Sequence, residues 1–142
     1  MSRVVASVDG ACVPNPGAGG WGVVLEASGL VKERSGFADE CTNQRAELLA
    51  AIEAFGALKR RCSIEVRSDS AYLIDAFKQG RIEQWRASGF DRINGDLWQE
   101  LDGLVRGHSV DWVKVKGHSG DRRNNRAHWL ANNAIRLARD MA

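Results

Sequence analysis

Two hydrophobic periodicities alternate along this chain, and their order constrains the fold more than any other feature of the sequence. Three early segments have the alternation or the short apolar runs that are typical of β-strands. They cover residues 3–9, 21–26 and 31–37. Residues 43–61 instead repeat apolar side chains such as Leu48 and Ile52 at helical spacing. Thr42 precedes this segment as a candidate N-cap. The first half of the chain therefore predicts an antiparallel β-meander followed by a helix.

The second half of the chain repeats the change from strand to helix. Its strand-like segments are 63–69 and 110–115, and its helical segments are 71–79, 96–106 and 123–141. A polar connection is predicted over residues 80–95, so the element order is β-β-β-α-β-α-α-β-α. Strands separated by helices pair in parallel through right-handed crossovers. We therefore predict one α/β domain over residues 1–142, with a mixed sheet that joins an antiparallel meander to parallel strands.

The composition excludes several classes of protein. The 142 residues are 44% hydrophobic, and 20 Lys and Arg balance 18 Asp and Glu. A chain of this size buries about two thirds of its unfolded surface, which argues against a disordered or fibrous protein. No apolar run approaches the roughly 18 residues of a membrane span, and Asp9 follows the N-terminus too closely for a secretory leader. We expect a cytoplasmic monomer with no membrane contact.

The three cysteines point to buried thiols. Cys12, Cys41 and Cys62 are odd in number, widely spaced and without a Cys-x-x-Cys pair. A disulfide framework needs an even set in an oxidising compartment, and a zinc site needs closely spaced ligands. Neither pattern is present, so we predict that all three are reduced and that packing is their main role.

The small net charge of +2 hides an uneven distribution. Residues 1–104 carry 12 basic and 15 acidic residues, whereas residues 105–142 carry eight basic and three acidic ones. The C-terminal surplus includes Lys114, Lys116, Arg122, Arg123 and Arg126. Such a surplus is compatible with a polyanionic partner, but a pI of about 8.6 does not by itself identify one.

Three carboxylates are predicted to meet at one edge of the sheet. Asp9 and Asp69 end predicted strands, and Glu47 lies about one turn into the helix after Thr42. Ligands of such sheets collect at the carboxyl ends of strands. Converging carboxylates repel one another, and Mg²⁺ or Mn²⁺ would compensate that repulsion. The spacing alone leaves an alternative open, because single acids at strand ends and first helical turns are often solvated or act as caps.

Two glycine-rich segments have different interpretations. Residues 17–22 match the pattern G-x-G-x-x-G, but they open a strand and not a helix, so they predict a turn and not a dinucleotide site. His118 lies between Gly117 and Ser119, a position that suits a mobile proton-transfer group. The alternative is a surface histidine without a role.

Four segments in order resemble the type 1 ribonuclease H family. They are DGAC at residues 9–12 with NPGAGGWG at 15–22, TNQRAEL at 42–48, SDSAY at 68–72 and WVKVKGHSG at 112–120. The similarity spans nearly the whole chain. It implies a ribonuclease H-like fold, with a five-stranded mixed sheet flanked by helices. It also implies two Mg²⁺ or Mn²⁺ ions and endonucleolytic cleavage of the RNA strand of an RNA/DNA hybrid, with 5′-phosphate and 3′-hydroxyl ends.

The resemblance implies a role for each matching residue. Asp9, Glu47 and Asp69 match three of the four metal-binding acids of the family, with Asp9 in the position that bridges two cations. His118 matches a loop histidine that helps proton transfer or product release. The implied substrate-binding residues are Cys12, Asn15, Thr42, Asn43, Gln44 and Trp85. Burial is an alternative role for Cys12, and core packing is an alternative for Trp85.

The fourth acid of the family falls in the last helix, where this chain has His128. An imidazole offers one nitrogen where a carboxylate would offer an anionic oxygen. Our hypothesis is an active enzyme in which His128 lies beside the second cation. We expect a bias toward Mn²⁺, which accepts nitrogen ligands more readily than Mg²⁺. The alternative is that His128 is only a helix residue near a site of two or three acids.

Two further departures from the family affect substrate binding. The stretch between Trp85 and Trp98 is shorter than the basic protrusion of bacterial relatives, and Ala71 replaces a longer polar side chain. Both changes predict modest affinity. Two alternatives to a hybrid-specific nuclease therefore stay open. One is a catalytically impaired module that only binds hybrids, and the other is a related nuclease that acts on DNA.

Overall fold

A five-stranded sheet forms the centre of the computed structural model, which describes residues 2–117 and 120–141. The strands are β1 (Ser2–Cys12), β2 (Gly17–Ala27), β3 (Leu30–Cys41), β4 (Cys62–Ser68) and β5 (Ser109–Lys114). They lie in the order β3-β2-β1-β4-β5. The first three pair as an antiparallel meander, and β4 and β5 add in parallel. The predicted mixed sheet is confirmed.

The described residues also form five helices, one more than predicted. They are α1 (Asn43–Gly56), α2 (Ala71–Lys78), α3 (Arg81–Ala87), α4 (Gly95–Val105) and α5 (Arg122–Asp140). The prediction of a polar connection over residues 80–95 was wrong, because α3 occupies part of it. This helix buries only Ile82, which is too little apolar surface to give a periodic signal. Helix α1 ends before the predicted Arg61, because residues 59–61 are exposed and have no apolar side chain to bury.

Helices α1 and α5 approach opposite faces of the sheet through glycines. A Cβ atom on Gly10 would overlap the backbone of Ala46 and Glu47 in α1. A Cβ atom on Gly22, which pairs with Asp9, would overlap the carbonyl of Ala127 in α5. Successive side chains of a strand point to opposite faces. Asp9 therefore faces α5, while α1 crosses the other side of the same strand and carries Glu47.

The larger core lies between the sheet and helices α1, α2 and α4. Its fully buried side chains include Val8, Leu48, Ile64 and Trp98. The Trp98 indole N–H donates a hydrogen bond to the Tyr72 hydroxyl at 3.1 Å, so burial of its polar atom is compensated. A smaller core under α5 joins Val24, Ala127 and Leu130. Small side chains in this layer allow α5 to lie close to β2.

The three cysteines have the state that their spacing predicts. Cys12, Cys41 and Cys62 are free and buried, as predicted. Among the residues that the structure describes, no helix combines the length and the apolar content needed to cross a lipid bilayer.

Close packing of α5 on β2 predicts a strong penalty for a methyl group at Gly20. A Cβ atom there would overlap the carbonyl of Ala131, and a helix backbone cannot yield without moving α5. We expect Gly20→Ala to lower the free energy of unfolding by about 2–3 kcal/mol. Urea denaturation followed by circular dichroism measures the change.

Gly56→Ala is the matched control. Gly56 ends α1 and has open space around its Cα, so a methyl group there should be neutral or should stabilise the helix by up to about 1 kcal/mol. Equal unfolding free energies for the two variants would contradict the close contact between α5 and β2.

Candidate active site

Three carboxylates from separate elements meet at one edge of the sheet. Asp9 lies in β1, Glu47 lies one turn into α1, and Asp69 directly follows β4. One oxygen atom of each lies within 4.8 Å of the others. The predicted convergence of these acids is confirmed.

The position of Asp9 differs from the prediction that it ends its strand. Strand β1 continues to Cys12, because it stays paired with β2 up to that residue. Its pairing with β4 stops earlier, at Ser7 opposite Arg67. Asp9 therefore lies where β1 has separated from β4, at the point where the meander meets the parallel strands. A crevice at such a point is where ligands bind in sheets of this kind.

Glu47 is held in place by the start of α1. The Thr42 hydroxyl accepts a hydrogen bond from the Arg45 backbone N–H at 3.1 Å, which fixes the first turn of the helix. The close approach of α1 to Gly10 then brings Glu47 to the crevice. Its Oε2 atom is buried and has no hydrogen-bond partner among the described residues. A buried carboxylate oxygen without a donor is a site of uncompensated negative charge.

Burial and mutual repulsion disfavour the ionised form of the carboxyl groups in this cluster. Burial, followed by the charge of Asp69, raises the pKa of Asp9 to about 6, although the hydrogen bond with His128 acts in the opposite direction. Burial, followed by the charges of Asp9 and Asp69, raises the pKa of Glu47 well above its usual value. Three oxygen donors that repel one another fit a hard divalent cation such as Mg²⁺ or Mn²⁺.

His128 reaches the same cluster from α5. Its Nδ1 atom lies 2.7 Å from Oδ2 of Asp9, and its side chain is 51% exposed. The group of described residues that is close enough to hold one cation contains the three acids and not His128. The structure thus places His128 in contact with the predicted site, as the hydrogen-bond partner of one acid.

The described residues on either side of His118 contact other elements, and His118 itself lies outside the described residues. On one side, Gly117 passes beside Asp69, since a Cβ atom there would lie 3.0 Å from Oδ2 of Asp69. On the other side, Asp121 caps α5 by accepting a hydrogen bond from the Asn124 N–H at 3.1 Å. Arg67 of β4 donates to Asp121 at 2.7 Å. The role of His118 stays a prediction.

Four of the six predicted substrate residues lie together beside the acids, and Cys12 and Trp85 are the exceptions. The side-chain amide oxygen Oδ1 of Asn15 accepts a hydrogen bond from the Asn43 backbone N–H at 3.2 Å, and both residues are exposed. Thr42 and Gln44 lie next to them at the start of α1. Cys12 is buried, and its Sγ atom lies 3.1 Å from the backbone carbonyl oxygens of Pro14 and Cys41, either of which can accept the thiol proton. This contact pattern favours the packing role of Cys12.

Trp85 lies on α3, away from the residues that line the crevice. Its ring packs against Trp98 with centroids 4.9 Å apart, and the guanidinium of Arg92 lies over the ring at 3.8 Å from its centroid. These contacts favour the packing alternative. A contact of Trp85 with nucleic acid stays a prediction.

A cleft of about 370 Å³ joins these groups and includes one residue that the sequence analysis missed. Asn132 lies in its wall, and its amide Nδ2 atom lies 3.3 Å from Nε2 of His128. The available signal was spacing, because residues four apart on a helix lie on the same face. The sequence does not show which groups surround His128, so nothing in it distinguished Asn132 from the neighbouring Asn133.

Comparison with known proteins gives consistent results. The RNase H family model matches residues 1–136. Ribonuclease H of Francisella philomiragia is 47% identical over 140 residues, which are 94% of this chain and 91% of that protein. LC9-RNase H1, a type 1 RNase H with the type 2 active-site motif, is 30% identical with a TM-score of 0.86 over 96% of this chain and 74% of that chain. LC11-RNase H1, solved in complex with an RNA/DNA hybrid, shares the fold at 23% identity, with a TM-score of 0.76 over 95% and 98% of the two chains.

The raised pKa of Asp9 predicts that this residue destabilises the metal-free protein. The carboxyl pKa is about 6 in the folded state and about 3.9 in the unfolded chain. The folded state therefore binds more protons between about pH 4 and pH 6, and stability falls as the pH rises through that range. We expect Asp9→Asn to raise the free energy of unfolding at neutral pH by about 1–3 kcal/mol.

Urea denaturation in the presence of a chelator, from acidic to neutral pH, measures this effect. Asp39→Asn is the control, since Asp39 is exposed on the edge strand β3 and should change little. An Asp9→Asn protein that is less stable than the parent at neutral pH would contradict the repulsion inferred from the geometry.

Proposed function

Because the chain belongs to the ribonuclease H family, whose model matches residues 1–136, we propose that it hydrolyses the RNA strand of RNA/DNA hybrids. The observation that carries this proposal is the cluster of Asp9, Glu47 and Asp69, with oxygens within 4.8 Å of one another beside an open cleft. Cleavage is endonucleolytic and leaves 5′-phosphate and 3′-hydroxyl ends.

Asp9, Glu47 and Asp69 are the residues that would hold divalent cations, Mg²⁺ or Mn²⁺. Cations bound there would activate the attacking water and would stabilise the leaving 3′ oxygen of the RNA strand. Asp9, in β1, would be a ligand of both cations. The Oε2 atom of Glu47 supports the assignment, because it is buried without a hydrogen-bond donor among the described residues and a bound cation would compensate its negative charge. His118 is proposed to move a proton at the cleft or to help product release.

Substrate binding is assigned to the polar surface at the start of α1. The backbone N–H groups of a helix N-terminus and short polar side chains suit phosphate oxygens. Asn15, Thr42, Asn43 and Gln44 supply such groups next to the acids. Contacts to 2′-hydroxyl groups along this surface would distinguish RNA from DNA.

Exposed basic residues near the loop at residues 117–121 add attraction for a polyanion. Lys114, Lys116 and Arg122 are exposed on either side of the loop. Arg123 and Arg126 are instead engaged with Glu26 at 3.1 Å and Glu33 at 2.6 Å. Fewer cations than the sequence suggested therefore face the substrate. Binding should depend on salt, with little base preference.

Cleavage of a labelled RNA/DNA hybrid tests this function. Asp9→Asn should lower kcat by more than about a hundredfold in Mg²⁺ and in Mn²⁺, since even outer residues of a metal site affect activity by about 10–100-fold. Asp39→Asn is again the matched control, because it makes the same change on an exposed strand.

Three outcomes of this assay would count against the proposal. Full activity of Asp9→Asn would contradict metal-dependent hydrolysis at this site. Equal cutting of a DNA duplex would contradict hybrid specificity. Binding of the hybrid by the parent protein without cleavage in either metal would favour a module that has kept only binding.

The position of His128 predicts an altered metal preference. With three carboxylates in place of four, the second cation should bind weakly, and Mg²⁺ loses its water shell reluctantly. We therefore propose that the enzyme has a bias toward Mn²⁺, with His128 beside the second ion. His128→Asp would supply a fourth carboxylate, so activity in Mg²⁺ should rise relative to activity in Mn²⁺. An unchanged ratio of the two activities would show that His128 does not influence the metal site.

A further inference from the structure

Three polar groups form a chain of contacts between α5 and the central acid. The Asn132 amide nitrogen Nδ2 donates to the backbone carbonyl oxygen of His128 at 3.0 Å. The same nitrogen lies 3.3 Å from Nε2 of the His128 ring. The other ring nitrogen, Nδ1, lies 2.7 Å from Oδ2 of Asp9. Asn132 and Asp9 therefore contact opposite ends of one imidazole.

The backbone carbonyl fixes the orientation of the Asn132 amide. A carbonyl oxygen only accepts hydrogen bonds, so the amide atom that faces it must be the NH₂ group. That NH₂ group has two protons and also faces Nε2 of His128. A nitrogen that faces a donor must offer a lone pair. Nε2 therefore accepts this hydrogen bond and carries no proton.

The proton of the ring then lies on Nδ1 and points to Asp9. A neutral imidazole carries its proton on one nitrogen, and the hydrogen bond at the other nitrogen decides which one. A carboxylate oxygen is an acceptor, so Nδ1–H donates to Oδ2 of Asp9 over 2.7 Å. In this arrangement neither ring nitrogen directs a lone pair at the three acids.

We propose that Asn132 is a positioning residue that holds His128 in the Nδ1–H tautomer, so that His128 orients Asp9 as a hydrogen-bond donor and is not itself a metal ligand. This inference rests on the proposed cation site at Asp9, Glu47 and Asp69. His128 acts there through the bridging acid, and Asn132 acts through His128. Loss of the Asn132 amide frees the ring to populate the other tautomer and loosens the carboxylate.

Nitrogen NMR of the histidine rings tests the tautomer directly. The experiment uses metal-free full-length protein labelled with ¹⁵N-histidine, at about pH 8, where an ordinary imidazole is neutral. The chain has three histidines, and a His128→Asn sample identifies the His128 signals by their loss. We expect a protonated Nδ1 and an unprotonated Nε2 for His128. Protonation at Nε2, alone or together with Nδ1, would overturn the proposal.

Asn132→Ala and Asn133→Ala are the matched pair of variants. They remove the same side chain at adjacent positions of α5, but Asn133 contacts Arg136 and not His128. Asn132→Ala should raise the protonated fraction of Nε2 and weaken Mn²⁺ binding by roughly tenfold in calorimetric titration, which is the usual effect of an outer residue of a metal site. Asn133→Ala should change neither quantity. Unchanged ring signals and unchanged Mn²⁺ affinity in Asn132→Ala would overturn the positioning role.

Addition of Mg²⁺ separates a donor from a ligand. We expect Nδ1 of His128 to keep its proton when the diamagnetic ion is added, because it continues to bind Asp9. Loss of that proton, or a large shift of Nε2 that marks direct coordination, would overturn the donor role. The ring measurements do not depend on catalysis. A protein that shows the expected tautomer but cuts no hybrid would contradict the proposed function alone, and an active enzyme with the other tautomer would contradict this inference alone.

Discussion

Repulsion among three partly buried carboxylates is the constraint on which the arrangement of this protein depends. Asp9, Glu47 and Asp69 come from three elements, and each would be more stable if it were solvated apart from the others. The pKa of Asp9, raised to about 6, measures part of that cost. Only a rigid scaffold holds such charges within a few ångströms without a bound cation. The fold supplies that rigidity, and a divalent cation would remove most of the repulsion.

Rigidity comes from backbone contacts close to each acid. Glycines at positions 10 and 22 let α1 and α5 approach the two faces of the strands that carry the site. The Thr42 cap fixes the start of α1, and the pair of Arg67 with Asp121 ties the start of α5 to β4. These contacts set the directions from which Glu47 and His128 arrive. A histidine at position 128 adds no negative charge to the cluster and offers Asp9 a hydrogen bond, so it relieves repulsion that a fourth carboxylate would increase.

The surface has fewer unpaired basic side chains near the site than the composition of the C-terminal segment suggests. The C-terminal segment carries a surplus of basic residues, but Arg123 and Arg126 are paired with acids of the meander. Exposed ion pairs of this kind are worth about 0–1 kcal/mol, so they orient side chains more than they stabilise the fold. Fewer unpaired cations therefore flank the segment that carries His118 than the composition suggested. The expectation of modest affinity for nucleic acid rests on this distribution and on the short segment around α3.

The sequence by itself determined the order of nearly all elements, the mixed sheet and the three acids, because periodicity and strand ends are local properties. It missed α3, whose single buried side chain gives no period, and it placed Asp9 at the end of β1 because pairing with β2 cannot be read from one strand. The burial of Cys12 and the contacts of His128 with Asp9 and Asn132 were decided only by the tertiary structure. Residues 9 and 128 are far apart in sequence, and an imidazole has two possible proton positions. Only the three-dimensional neighbours of its two nitrogens determine which one carries the proton.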